Sequence, residues 1–191
     1  VNGVSGALTS FDLSTVQGVG GNLSSIQVLS YDGGTGIDSY TVFFMSSGEL
    51  LTYSGSNPGN ANNWALVGRY MLPRLIDVRA IVRYGGDIYY TTDNDIQQLS
   101  KVLIALKLGE TPPRTKISGA VTDAHSAGDM LFGWDALNYP VGRRLIFNVP
   151  TPAGTFEQFI YNTSVQGWSR FTGMNASCWG IHRDKLYFGT D

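Results

Sequence analysis

At 191 residues, with 15% charged side chains, 12% aromatics and 24 glycines, the chain is long enough for a sizeable core and suits many short strands with tight turns better than a helical bundle. Thirteen Lys and Arg against fifteen Asp and Glu give a net charge of -2, which excludes a global attraction to nucleic acid or anionic lipid. The one cysteine, Cys178, excludes an intrachain disulfide and a multi-cysteine zinc site and is expected to be a buried structural thiol.

Residues 1 to 22 mix Gly, Ser and Val around Phe11 and Leu13 and sustain no period, so they are expected to be irregular. Gly18-Val19-Gly20-Gly21 is followed by neither a helix nor a Lys-Ser/Thr pair and reads as a flexible loop, not a phosphate cradle. From Leu23 an alternation predicts a strand to Tyr31, broken at Asp32-Gly33-Gly34. Tyr40 to Met45 is a buried strand by its β-branched and aromatic content, Ser47-Gly48 its turn, and Glu49 to Ser54 its partner. A polar loop from Asn57 to Asn63 leads to a strand at Trp64 to Met71, which Pro73 ends. Val78 to Tyr84 and Ile88 to Thr92 form a hairpin about Gly85-Gly86-Asp87. The turn Asp93-Asn94-Asp95 then precedes a short strand at Ile96 to Leu99.

From about Leu99 the period changes. Leu99, Val102, Leu103 and Leu106 recur at helical spacing until Gly109; after Thr111-Pro112-Pro113, Ile117, Ala120, Val121 and Ala124 repeat it until Gly128. Residues 99 to 128 are thus a helical insertion in a β chain. Strands resume at Met130 to Leu137, Arg144 to Val149 and Phe156 to Tyr161. A strand carrying Trp168 and a closing hairpin turning at Arg183-Asp184 follow.

Part of this order occurs twice, roughly a hundred residues apart. Tyr53 precedes Trp64 as Tyr161 precedes Trp168, and Ile88 to Asp93, with Tyr89, parallels Leu186 to Asp191, with Tyr187. Short hairpins with an aromatic at a fixed offset predict an antiparallel all-β fold of propeller-like blades, with a two-sheet sandwich as the alternative. Trp64, Trp168, Tyr53, Tyr161, Tyr89 and Tyr187 are its expected structural core. The length suffices for three or four blades, so residues 1 to 191 are expected to form a single domain with an incomplete ring. Beginning at Val1 without methionine and stopping directly after a strand, the chain is expected to be a piece of a longer one.

Few residues suggest chemistry. His125 and His182 lack paired spacing, and Cys178 has His182 four residues on, with nothing else to support a nucleophile. Gly33-Gly34-Thr35-Gly36-Ile37-Asp38 matches a β-helix calcium repeat once, so Gly33, Gly34, Gly36 and Asp38 are a weak calcium candidate beside the simpler reading of a glycine hairpin. Asp93-Asn94-Asp95 reads as a turn. Glu49 with Asp32 or Asp38, and Asp135 with Glu157, are the carboxylates that could converge for acid and base work, with Arg143 nearby in a cleft; otherwise they are edge charges. No metal, cofactor or catalytic set is expected.

Ser46-Ser47-Gly48-Glu49, Trp64-Ala65-Leu66-Val67-Gly68, Arg83-Tyr84-Gly85-Gly86-Asp87 and Gly167-Trp168-Ser169-Arg170-Phe171-Thr172-Gly173 resemble a family of bacteriophage and prophage virion proteins. The likeness covers most of residues 23 to 191, with FDLSTV near the start and Asn175 to Trp179 near the end. That family is similar to the propeller-type head-to-tail connector, or packaged-DNA stabilisation, proteins of short-tailed phages; more distantly the units resemble kelch repeats. The resemblance implies a structural, non-enzymatic protein located in the virion, and in the host cytoplasm during assembly. Its implied partners are portal or tail proteins and copies of itself, without membrane or sequence-specific nucleic acid. A carbohydrate- or receptor-binding tail module and a glycan-degrading tail enzyme are the alternatives.

Overall fold

The computed structural model describes residues 10–32, 37–60, 62–128 and 131–190. Among them, strands supply most of the regular structure, in four antiparallel sheets of which none closes on itself, with two helices.

The first sheet is a meander of β1 (Leu23–Asp32), β2 (Ile37–Met45), β3 (Glu49–Gly55) and β4 (Trp64–Met71), paired in chain order. The central strands carry consecutive apolar side chains, which the two-residue period sends to opposite faces, so both faces need a cover. Val42, Phe44 and Leu50 face a core completed by Ile88, Tyr90, Leu99, Val102 and Leu103. Phe43, Met45, Leu51 and Tyr53 face the other way and meet Leu13, Val16 and the ring of Phe11.

The N-terminal segment, expected to be loose, is therefore tied down. Glu49, 3% exposed, accepts hydrogen bonds from Gly18 N at 2.8 Å and Val19 N at 3.2 Å, one on each carboxylate oxygen. Arg69 donates to Val16 O at 3.1 Å. The glycine loop cradles an anion after all, one supplied by its own chain.

A three-stranded sheet follows, β5 (Ile81–Tyr84), β6 (Asp87–Thr91) and β7 (Ile96–Gln98), leading into α1 (Leu99–Lys107) and α2 (Ser118–Gly128). The strand expected from Val78 starts only at Ile81, because Asp77 organises a turn: Arg79 N donates to its carboxylate at 2.8 Å and Ala80 N to its carbonyl at 3.1 Å. The stripe Leu99, Val102 and Leu103 buries α1 against the first sheet, while Val121 of α2 joins Trp134, Phe147 and Phe159 in a second core.

That core belongs to the second meander, β8 (Asp135–Tyr139), β9 (Arg144–Pro150), β10 (Phe156–Asn162) and β11 (Gly167–Phe171). The strand expected from Met130 begins at Asp135; Met130 itself lies outside the described residues. The indole of Trp134, 2% exposed, is directed at Gly128 O, 3.4 Å away, and wraps the chain around the end of α2. The chain closes with the hairpin β12 (Cys178–His182) and β13 (Lys185–Gly189). Its two turn residues, Arg183 and Asp184, have φ of 47° and 62°, the signs of the turn that matches strand twist.

The two faces of the second meander are covered by different chemistry. Leu145, Phe147, Val149 and Phe159 meet α2 through apolar contact. On the opposite face Asn148, 1% exposed, donates to Gly133 O and Ala176 O, both at 2.9 Å, and accepts from Gln158 Nε2 at 3.0 Å and Trp179 Nε1 at 3.1 Å. Gln158 also donates to Met174 O at 3.2 Å. This network fastens residues 174 to 179 to the sheet.

Each four-stranded meander is followed by a hairpin whose turn rests near that meander's first strand. Ser30 N in β1 donates to Gly86 O at 2.7 Å, and the Tyr139 hydroxyl in β8 donates to Asp184 O at 3.2 Å. At the first contact a Cβ on Gly86 would lie 2.1 Å from Ser30 O, a backbone atom that cannot step aside. Gly86→Ala is therefore expected to lower stability by about 1–3 kcal/mol, whereas Gly119→Ala, with open space in α2, is expected to raise it by about 0.5 kcal/mol. Denaturant melts of the two variants check both signs. Asn148→Ala orphans two donors and two carbonyls, and is expected to cost about 2–4 kcal/mol, read in the same melts and in the fluorescence of Trp179.

Candidate functional site

The residues expected to form the core divide in the structure. Tyr53 and Trp64 stack at 5.3 Å between centroids and 15° between planes. A bulge opposite Thr52 and Tyr53 shifts the register so that Tyr53 faces Leu66 and Trp64 lies diagonally on the same face. Tyr161 and Trp168 are direct cross-strand partners, at 5.0 Å. Trp64 and Trp168 are both half-buried rather than enclosed. Tyr89 is buried and reaches Tyr161 at 5.6 Å. Tyr187, expected beside them, is 51% exposed, on a two-stranded hairpin at the surface.

Around the second aromatic pair the chain forms a cleft of about 260 Å³. Tyr89, Tyr161 and Trp168 line it together with Gln97, Gln98 and Gln166, and Lys101, Arg114 and Lys116 stand at its rim. The cleft continues past Lys116, Gln166 and Trp168 into a shallower space of about 470 Å³ that ends at Ser169 and Arg170. Local structure explains the rim. Asp95, fully buried, accepts from Ile96 N at 2.9 Å and Thr115 N at 2.9 Å and also bonds the Thr115 hydroxyl. Arg114 donates to Asn94 O at 3.2 Å. The supposed plain turn Asp93-Asn94-Asp95 is thus the anchor that pins the segment between the helices and sets its cations beside the aromatic floor.

The charges there are unevenly matched. Asp87 is taken up by Gln98 at 2.7 Å and by Ser100, and Asp95 by Thr115. Lys101, Arg114 and Lys116 make no salt bridge among the described residues; Arg170, at the far end, pairs with Glu157. None of these rim residues stood out in the sequence. The only signals were two prolines followed by Arg114-Thr115-Lys116 and a tryptophan preceded by Gln166-Gly167.

The carboxylate pairs do not form acid–base sets. Asp135 shares a register row with Asn148 and Gln158, so Glu157, one residue off that row, projects from the opposite face. Glu157 bonds Arg170 Nε at 2.7 Å. Burial pushes the Asp135 carboxyl above its usual range, with Ala136 N and Arg79 opposing. Glu49 is occupied by the N-terminal amides, and Asp38 is exposed with Tyr40 Oη 3.5 Å away. The side chain of Asp32 and residues Gly33, Gly34 and Gly36 lie outside the described residues, and with them all of the calcium candidate except Asp38. Arg143, with φ 51°, closes the β8–β9 turn.

Cys178 is exposed, not the buried thiol expected, because β12 lies at the surface. His182 lies four steps along the strand, about 13 Å away, out of reach for a nucleophile and base. His125 sits half-buried in α2 with Nδ1 buried and unpartnered. Among the described residues no three His, Cys, Asp or Glu side chains gather as a metal site, and no helix is long and apolar enough to cross a membrane. Comparison of the chain with protein-family models and with curated proteins finds no match.

Two buried phenols lie next to the cleft. Burial, and then the neighbouring Tyr161 hydroxyl, raise Tyr89 well above 10.0; burial and then Asp95 do the same for Tyr90, whose hydroxyl donates to Gln97 at 3.0 Å. The unfolded chain therefore releases these protons at lower pH than the folded one. Their contribution is intact below the ordinary value of 10.0 and is lost as pH rises through it toward the folded values. Stability is expected to fall above that pH, and Tyr90→Phe to start lower at neutral pH but fall less steeply. Denaturant midpoints measured across the alkaline range check this.

Proposed function

We propose that the chain is a structural module of a bacteriophage virion that works by protein–protein assembly, its meanders acting as propeller-like blades. Four antiparallel strands paired in chain order, the strand order of a propeller blade, support the blade reading, and the sequence likeness to connector-type virion proteins supplies the setting. The carboxylates, held apart and engaged elsewhere, support a non-enzymatic reading.

The observation that carries this reading is the unequal fate of two matching hairpins. Both turn in two residues, Gly85-Gly86 between Tyr84 and Asp87, and Arg183-Asp184 between His182 and Lys185. That aligns Ile88, Tyr89 and Tyr90 with Leu186, Tyr187 and Phe188. The first three are buried, with Tyr90 and Ile88 at 0% exposed, because β7 pairs along β6 and α1 covers it. Tyr187 and Phe188 are 51% and 49% exposed. A strand followed by an amphipathic helix, supplied by a portal or tail protein or by a neighbouring copy, fits this face as β7 and α1 fit the other.

Mutation of the exposed pair separates assembly from folding. Tyr187→Ser with Phe188→Ser is expected to leave the isolated chain folded at a cost of about 1–2 kcal/mol, because Phe188 packs on Trp179 with ring centroids 5.4 Å apart, while association with copies of itself or with the portal and tail proteins of the same phage is lost in sedimentation. A parent chain that stays monomeric and binds none of those proteins, or a variant that assembles as the parent does, overturns the reading.

A further inference from the structure

We propose that the cleft over Tyr161 and Trp168 binds an acidic sugar, a uronate unit of a larger glycan. The inference is independent of the assembly reading and rests on three features that meet at one place.

The first is the floor. Tyr161 and Trp168 are paired across two strands and backed by Phe147, 5.7 Å from Trp168, so the surface they present is fixed before any ligand arrives. The C–H face of a pyranose is weakly positive and packs on the negative face of such rings. The matching pair, Tyr53 and Trp64, is capped by Phe11, whose ring lies 5.5 Å from Tyr53 and 6.2 Å from Trp64. At the second pair Tyr89 reaches Tyr161, and Trp168 lines open space instead.

The second feature is the wall. Gln98 and Gln166 line the cleft beside the floor: the Gln98 amide nitrogen is committed to Asp87, which leaves its carbonyl oxygen to accept, while the Gln166 amide can read hydroxyls by donating and accepting together. The third is the rim, where Lys101, Arg114 and Lys116 stand without salt-bridge partners among the described residues. Asp87 and Asp95, the nearby carboxylates, already bond Gln98, Ser100 and Thr115. An aromatic platform alone suits any sugar; with amides and unpaired cations it suits a sugar carrying a carboxylate.

Titration calorimetry and tryptophan fluorescence of the 191-residue chain with trigalacturonate test this. Trigalacturonate is expected to bind, its fully methyl-esterified form to bind about tenfold more weakly, and added salt to narrow that gap. The double substitution Lys101→Ala with Lys116→Ala, both at exposed positions, is expected to weaken the acid form by about tenfold or more without moving the melting temperature. Trp168→Phe, which keeps a ring on the floor, is expected to lower affinity for the acid and ester forms alike. Absence of binding up to millimolar trigalacturonate overturns the proposal. So does equal affinity for acid and ester. Pyrophosphate bound as tightly as trigalacturonate, and unaffected by Trp168→Phe, overturns it as well, since that describes a bare anion site.

Discussion

A strand that is apolar on both sides forces its sheet to be covered twice, and in the second meander one of those covers depends on a single amide. Asn148 makes four hydrogen bonds with almost no exposure to water, two to carbonyls of flanking segments and two from the side chains of Gln158 and Trp179. An amide so placed holds only one arrangement of its neighbours, since any shift of residues 174 to 179 leaves buried polar groups unpaired. The C-terminal hairpin is tied to the sheet through this bond set at Trp179 and through the Tyr139 hydroxyl on Asp184 O. The other face of the same sheet, closed by Val121 and Ile117, tolerates repacking in a way the polar face does not.

The internal repeat takes its physical meaning from these covers. Two meanders of the same order carry the same Tyr–Trp pair on their third and fourth strands, and each is followed by a hairpin with a two-residue turn. What differs is what lies on top. Phe11 and the tied N-terminal segment close the first aromatic pair, while Tyr89 and the segment between the helices frame the second and leave a cleft. Likewise β7 and α1 close the first hairpin and leave its counterpart half exposed. One supersecondary unit, used twice, thus yields two different surfaces because its covering segments differ.

Much of the secondary structure was legible because it follows from period and turn chemistry. Tyr40 to Met45 could only be a strand buried on both sides, Leu99, Val102, Leu103 and Leu106 could only be one helix face, and Arg183-Asp184 occupies the turn that the closing hairpin demands. Strand starts failed where a side chain intervened, as Asp77 does before β5 and Trp134 before β8. Burial was less legible than pattern. Cys178 and Tyr187 have core-type side chains yet face outward, and Glu49 and Asn148 are polar yet enclosed. Residue type sets the cost of burial, while tertiary neighbours decide whether it is incurred.

The cleft was the least legible feature, for a reason specific to how it is built. Its floor comes from residues 89, 161 and 168 and its rim from residues 101, 114 and 116, so no local spacing announces it. What joins the two is Asp95, which turns its carboxylate away from solvent to hold Thr115 and so fixes a segment containing two prolines against the sheet. Without that anchor the prolines would stiffen the connection without orienting it, and Arg114 and Lys116 would sample solvent far from Trp168. A buried carboxylate engaged only by backbone and hydroxyl groups is costly to keep. Its removal would cost more, because Ile96 N, Thr115 N and the Thr115 hydroxyl would lose their acceptor, so the group that holds this part of the core together also sets Arg114 and Lys116 beside the open aromatic pair.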